Sequence, residues 1–261
     1  MTKGDLKLTR RKALAGAGAI GFATLGMGRG RPTASWNEYV NYTRAETNGR
    51  RLLVGWQSTY DGSGTEAVVV DGPTDEADSA DGVTDVPLID LDDVLPGDEG
   101  AASVGLRVED DLGEGLRAWM QIIPTVGSDR PSTELADRIQ IDIRYDTGLL
   151  GVGGCEGADG PFADFGTEIF SGSFADLAGG STPLSEGILL DPRLFGDGCL
   201  TPGDQRCLLF HWRFPVGRGN AGKGGSVDFD VTFGVDPCGA DTTNPFQGGG
   251  ADDDHDAEAS T

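Results

Sequence analysis

Lysine and histidine are nearly missing from this chain of 261 residues. Past Lys12 the only lysine is Lys223, and the only histidines are His211 and His255. The H-E-x-x-H pattern does not occur, so the helix-borne zinc site of metallopeptidases is absent as a motif. G-x-S-x-G is absent too, and a serine hydrolase would have to rest on His211 alone. A packed or hydrogen-bonded residue within its strand is the simpler reading of that histidine. His255 lies in an acidic run near the end of the chain, where it would hold a stray cation only weakly. No two cysteines form a short C-x2–4-C pair, which excludes the usual structural zinc site. No repeat of about 20 to 50 residues is visible, which disfavours solenoids and propellers. In a chain this acidic, Asp and Glu pairs occur throughout and carry no weight as glycosidase signals. No catalytic constellation emerges, and the chain reads as a non-enzyme.

Positive charge of any kind is scarce: 20 Lys and Arg stand against 43 Asp and Glu, a formal net charge of −23. Such a surface repels phosphate, so neither nucleic acid nor anionic lipid is an expected partner. It stays soluble where salt screens repulsion to ~3 Å at 1 M, which points to a halophilic setting. Glycine, by contrast, is abundant at 43 residues, about twice its usual share near 7%. Each glycine in a helix interior costs ~1 kcal/mol relative to alanine, so short strands joined by turns suit this composition better than helices.

The chain opens with Arg10, Arg11 and Lys12 ahead of an apolar stretch of small residues, the layout of an export signal with a twin-arginine pair. The stretch is short for a membrane span. Cleavage near Thr33, Ala34 and Ser35 fits the small-residue rule loosely, and an uncleaved anchor, the one expected membrane contact, stays open. Residues 1–35 are read as the signal segment, 36–238 as one domain, and 239–261 as an acidic tail expected to be disordered. Residues 36–47 read as an exposed arm carrying Trp36, Tyr39 and Tyr42, with a glycosylation sequon at Asn41-Tyr42-Thr43.

Strand signals follow at residues 50–57, 66–70, 86–91, 101–109, 117–123 and 138–146. The last alternates most cleanly, with Ile139, Ile141, Ile143 and Tyr145 against Gln140, Asp142 and Arg144. Residues 71–85 read as a solvated acidic loop and 147–166 as a long Gly-rich excursion. Ser173 is placed to cap a short helix over 174–178, closed by Gly179. Residues 206–214 are apolar and crowded with aromatics, and Val227, Phe229, Val231, Phe233 and Val235 alternate with small or polar residues. The connection 215–225 reads as a long flexible loop, so the chain is expected to end in an antiparallel pair. The pattern predicts an all-β, jelly-roll-like two-sheet β-sandwich with one short helix, a flexible signal segment and a disordered acidic tail.

Four cysteines in an exported chain point to disulfides. Of the three pairings, Cys199 with Cys207 would close a short turn, and Cys155 with Cys238 would tie the Gly-rich excursion to the last strand. These two are the expected bonds, each contributing ~2 to 4 kcal/mol. Two oxygen-rich loops would suit calcium, one holding Asp90, Asp92, Asp93, Asp98 and Glu99, the other Asp146, Glu156, Asp159 and Asp164. Neither has EF-hand spacing, and the expectation is solvated loops and no cofactor.

The end of the chain, residues 199–238, carries a resemblance. A cysteine, a short turn, a second cysteine opening an aromatic strand that ends in Phe-Pro-Val, and a last alternating strand closed by a cysteine resemble haloarchaeal proteins of the TasA/camelysin-like family. The likeness continues at LLVGWQSTYDG (52–62), LIDLDDVLPGDEGAASVGLRVED (88–110) and WMQI (119–122), and so covers most of the chain. It departs where the family has an Asn-Pro-Gly turn and this chain has Asp111-Leu112-Gly113-Glu114-Gly115. The resemblance implies a secreted β-sandwich with a signal segment of the SipW-cognate type. Some members of that family assemble into extracellular filaments, and a few were named as proteases. The expected function is a secreted structural or surface protein, a TasA-like filament or matrix subunit joined to its own copies by strand donation from the arm, with Trp36, Tyr39 and Tyr42 as anchors. The alternatives are a camelysin-like metallopeptidase and a solitary cell-surface binding domain.

Overall fold

The computed structural model describes residues 43–47, 50–61, 68–72, 78–79, 83–92, 94–110, 115–147, 166–180, 182–191, 198–239 and 241–247. The signal segment with Arg10 and Arg11, the anchors Trp36, Tyr39 and Tyr42, Cys155 and residues 248–261 lie outside them.

Among the described residues thirteen strands form two sheets. The larger has eight: β1 (Thr43–Thr47), β2 (Arg50–Asp61), β3 (Val68–Gly72), β4 (Asp78–Ser79), β6 (Glu99–Asp110), β8 (Gln140–Tyr145), β9 (Glu168–Ser173) and β12 (Gln205–Arg213). Its order is β4-β1-β2-β6-β12-β8-β9, with β3 also on β2. The smaller runs β10 (Ile188–Leu189), β7 (Leu116–Val126), β13 (Ser226–Pro237) and β5 (Val83–Asp92), with β11 (Cys199–Leu200) also on β7. Pairing is antiparallel except for the two-residue contact of β1 with β4. The long strands pass from sheet to sheet, β2 to β5 to β6 to β7 to β8, which gives the sandwich its jelly-roll character.

Alternation in the sequence explains which face is buried. Ile141 and Ile143 of β8, Leu208, Phe210 and Trp212 of β12, and Val227, Phe229, Val231 and Phe233 of β13 all enter one core between the sheets, as period-two strands require. At its centre the Phe229 ring lies 6.0 Å from Phe210 and 6.2 Å from Phe174. Phe174 begins a short helix, Phe174–Ala178, whose capping box joins Ser173 and Asp176 as the sequence suggests. A second short helix, Arg130–Ala136, precedes β8.

The expected terminal pair does not form. β12 lies between β6 and β8 in the larger sheet, whereas β13 lies between β5 and β7 in the smaller one. Eleven residues are more than a hairpin needs, and here they cross the ~10 Å between facing sheets. Nor is this connection free. A Cβ at Gly222, where φ is +88°, would come within 2.8 Å of the Leu135 backbone, so the loop lies against the helix Arg130–Ala136 in a way only glycine permits.

Each helix start carries a titrating carboxylate, Asp129 as the N-cap of one and Asp176 in the capping box of the other. The Asp129 carboxylate is held below its ordinary range, chiefly by the Ser132 N–H, and Asp176 by the Ser173 hydroxyl. A lowered folded-state pKa adds stability above the unfolded value near 3.9 that fades as pH falls through the folded value. Asp129→Asn with Asp176→Asn retains capping oxygens but should flatten the loss of thermal stability below about pH 4. An unchanged acid limb in thermal melts would contradict this.

Candidate functional site

Two regions stand apart from the core. One is the lower end of the smaller sheet, where β7 begins. Its neighbours are β11 on one side, through Cys199 opposite Arg117, and β13 on the other, through Asp236 opposite Arg117. The two strands therefore flank one residue, and Cys199 bonds to Cys238 with 6.0 Å between their Cα atoms. This corrects the expected Cys199–Cys207 bond. The turn after β11 carries the chain into the other sheet, where Cys207 lies opposite Gly105 of β6. The Cys199–Cys238 bond also rules out the expected Cys155–Cys238 pairing, and Cys207 is itself disulfide-bonded.

Beside this staple the Arg117 guanidinium donates to Asp236 Oδ2 at 3.0 Å and to the Pro237 carbonyl at 3.1 Å, with both charged side chains only 8% exposed. The start of the expected disordered tail is also built in. Thr243 N donates to Asp236 Oδ2 at 3.2 Å, and Asn244 Nδ2 donates to the carbonyls of Glu186 and Gly187 at 3.0 and 3.2 Å. Folded structure thus continues past Cys238 into residues 241–247. The signal for it is Asn244-Pro245-Phe246, an uncharged segment with an aromatic inside an otherwise acidic tail.

The other region is the outward face of the larger sheet and β9, its end strand among the described residues. His211 is half-buried there, in one row with Ala101, Asp142 and Ser171. Arg144 Nε donates to Asp142 at 2.5 Å. In this row the carboxylate stands between the hydroxyl and the imidazole, whereas a triad needs the imidazole in the middle. Ser171 and His211 are two strands apart, about 10 Å, so the row is not that constellation.

Edge chemistry differs around the molecule. β5 carries Pro87 and two register shifts, and β10 and β11 have two residues each, all features that blunt an edge. β9 is the end strand of its sheet among the described residues, six residues with neither proline nor lysine. Phe174 N donates to the Ile139 carbonyl, so along β9 the backbone groups of Gly172 and Phe170 face β8 and those of Ser171 face outward. The Ser173 N–H is taken by Asp176. Ser171 therefore offers a donor and an acceptor at the exposed edge, a feature that turns on register and that sequence reading missed.

Of the first calcium loop, Asp98 is fully buried and accepts the Leu95 N–H at 2.9 Å within its own turn. Asp90, Asp92 and Asp93 have no described side chains. Of the second, Asp146 is buried, while Glu156, Asp159 and Asp164 lie outside the described residues, as does His255. Among the described residues no three His, Cys, Asp or Glu groups converge as a cation site, and no helix is long and apolar enough to cross a membrane. No protein-family model matches the chain. No curated protein matches it either.

Proposed function

We propose that the chain is an exported structural or surface protein whose copies join by strand donation, the arm of one copy adding to the β9 edge of the next. The contrast between edges carries this reading: β5, β10 and β11 are blunted, while β9 presents an unblunted strand with Ser171 facing out. Added strands gain backbone hydrogen bonds from such an edge and register from alternate side chains. The acidic, lysine-poor surface suits molar salt, and the resemblance to TasA/camelysin-like proteins is in keeping with filament assembly.

The donor is narrower than the whole arm 36–47. Residues Thr43–Thr47 are β1, paired with β2 of the same chain from Thr43 opposite Val54 to Thr47 opposite Arg50. That leaves residues 36–42, with Trp36, Tyr39 and Tyr42, as the donor. A chain beginning at residue 36 should form filaments or large oligomers in molar salt, seen by electron microscopy and light scattering, and one beginning at residue 43 should not. A monomer in both samples at every concentration would end the proposal.

A further inference from the structure

We infer that β3 and the arm compete for one edge of β2, and that the hold of β3 on this edge keeps residues 36–42 off their own sheet and leaves them to a second copy. As a control on donation this rests on the reading above, whereas the competition itself follows from register.

A strand has two edges to pair. One edge of β2 is taken along its whole length by β6, from Arg50 opposite Asp110 to Asp61 opposite Glu99. The other is shared. β1 pairs with its first part, up to Thr43 opposite Val54, and β3 with the rest, from Gly72 opposite Trp56 to Val68 opposite Tyr60. Only Gly55 stands between the two partners. Residues 36–42 run straight into β1 with no linker. Carried on in the register of β1, Tyr42 falls opposite Gly55 and Trp36 opposite Asp61, the last residue of β2. The arm thus has the length and register to finish what β1 begins, and β3 occupies all but the two ends of that stretch.

Residue chemistry decides which segment wins. Leu52, Val54 and Trp56 of β2 face the core, and period two carries that face on to positions 58 and 60. Opposite positions 56, 58 and 60, β3 sets Gly72, Val70 and Val68, where the arm would set Asn41, Tyr39 and Asn37. Valine suits a half-buried strand and asparagine does not, and an amide turned toward the core loses water without a matching partner. β3 therefore holds the edge, and the arm has to leave β2 at Gly55. It leaves from the β1 side of the larger sheet, whereas β9 lies at the opposite end. The free side of β9 in the same copy is six strand spacings from β1 along the sheet, about 29 Å. A segment joined directly to β1 therefore meets only the β9 of another copy.

Hydrogen-exchange mass spectrometry on the full chain tests the competition, because it reads filaments and monomers alike. In the parent, residues 68–72 should be protected at every concentration, and residues 37–41 only where copies assemble. Asn37→Val with Asn41→Val gives the arm the residues that favour β3. Exchange at 68–72 should then quicken by about tenfold or more, while 37–41 become protected at every concentration. Filaments should be lost, although a more apolar arm would by itself be the better donor. Val68→Asn with Val70→Asn should move protection to 37–41 from the other side. Residues 68–72 as protected in the valine variant as in the parent, or 37–41 still protected only on assembly in either variant, would overturn the inference. A parent chain that stays monomeric at every concentration would instead sink the donation reading alone, and the transfer of protection along β2 would still be seen.

Discussion

Replacing Cys199 and Cys238 together by serine should lower stability by about 4 kcal/mol. The bond closes a loop with a sequence separation of 39, and the chain-entropy relation for a loop of that length gives this figure at 25 °C. For a domain of this size each kcal/mol moves the melting point by roughly 2–4 °C, so a fall of about 8–16 °C is expected. The loss is concentrated at one end of the smaller sheet. β11 is only two residues long and meets β7 at Arg117 and Leu116, too little ladder to hold without the bond. Thermal melts of the double serine variant in molar salt check the figure, and a shift under about 3 °C would show that the ladder alone suffices.

Arg117→Met should cost about 3–5 kcal/mol, because it strands the Asp236 carboxylate in a site almost closed to water. The same substitution combined with Asp236→Leu should recover most of that loss, since a buried ion pair replaced by apolar side chains is often neutral. Asp236 also receives the Thr243 N–H, so the double variant should regain sheet stability while losing the grip on the tail. Urea unfolding of both variants, with proteolysis at residues 241–247 as a second reading, separates these effects. A double variant as unstable as Arg117→Met would contradict the account.

Strands were legible wherever alternation was strong. Ile139, Ile141, Ile143 and Tyr145 point to one core in the sequence and are buried in the fold. The Ser173 cap was legible because a capping box is a local pattern. The helix Arg130–Ala136 has a comparable signal, Asp129 at the cap with Pro131 in the first turn, but it is brief and its apolar content slight. What local pattern cannot carry is the sheet to which a strand belongs. β12 and β13 look alike in sequence yet lie in opposite sheets, and once that membership is misread the nearest cysteines look like partners when they are not. The site was less legible still. Which backbone groups of β9 face outward depends on the alternation of its bonds to β8, and a proline-aromatic turn in an acidic tail gains meaning only once Gly187 and Gly234 are placed beneath it.

The most direct test of assembly through the β9 edge is Ser171→Pro in a chain beginning at residue 36. Its N–H faces away from β8, so proline removes a donor only from the free edge, and edge positions of this kind tolerate proline. Electron microscopy and sedimentation in molar salt should find filaments in the parent chain. The variant should give monomers or small oligomers, with its melting point within about 2 °C of the parent. Filaments of undiminished length from a folded Ser171→Pro chain would contradict the account.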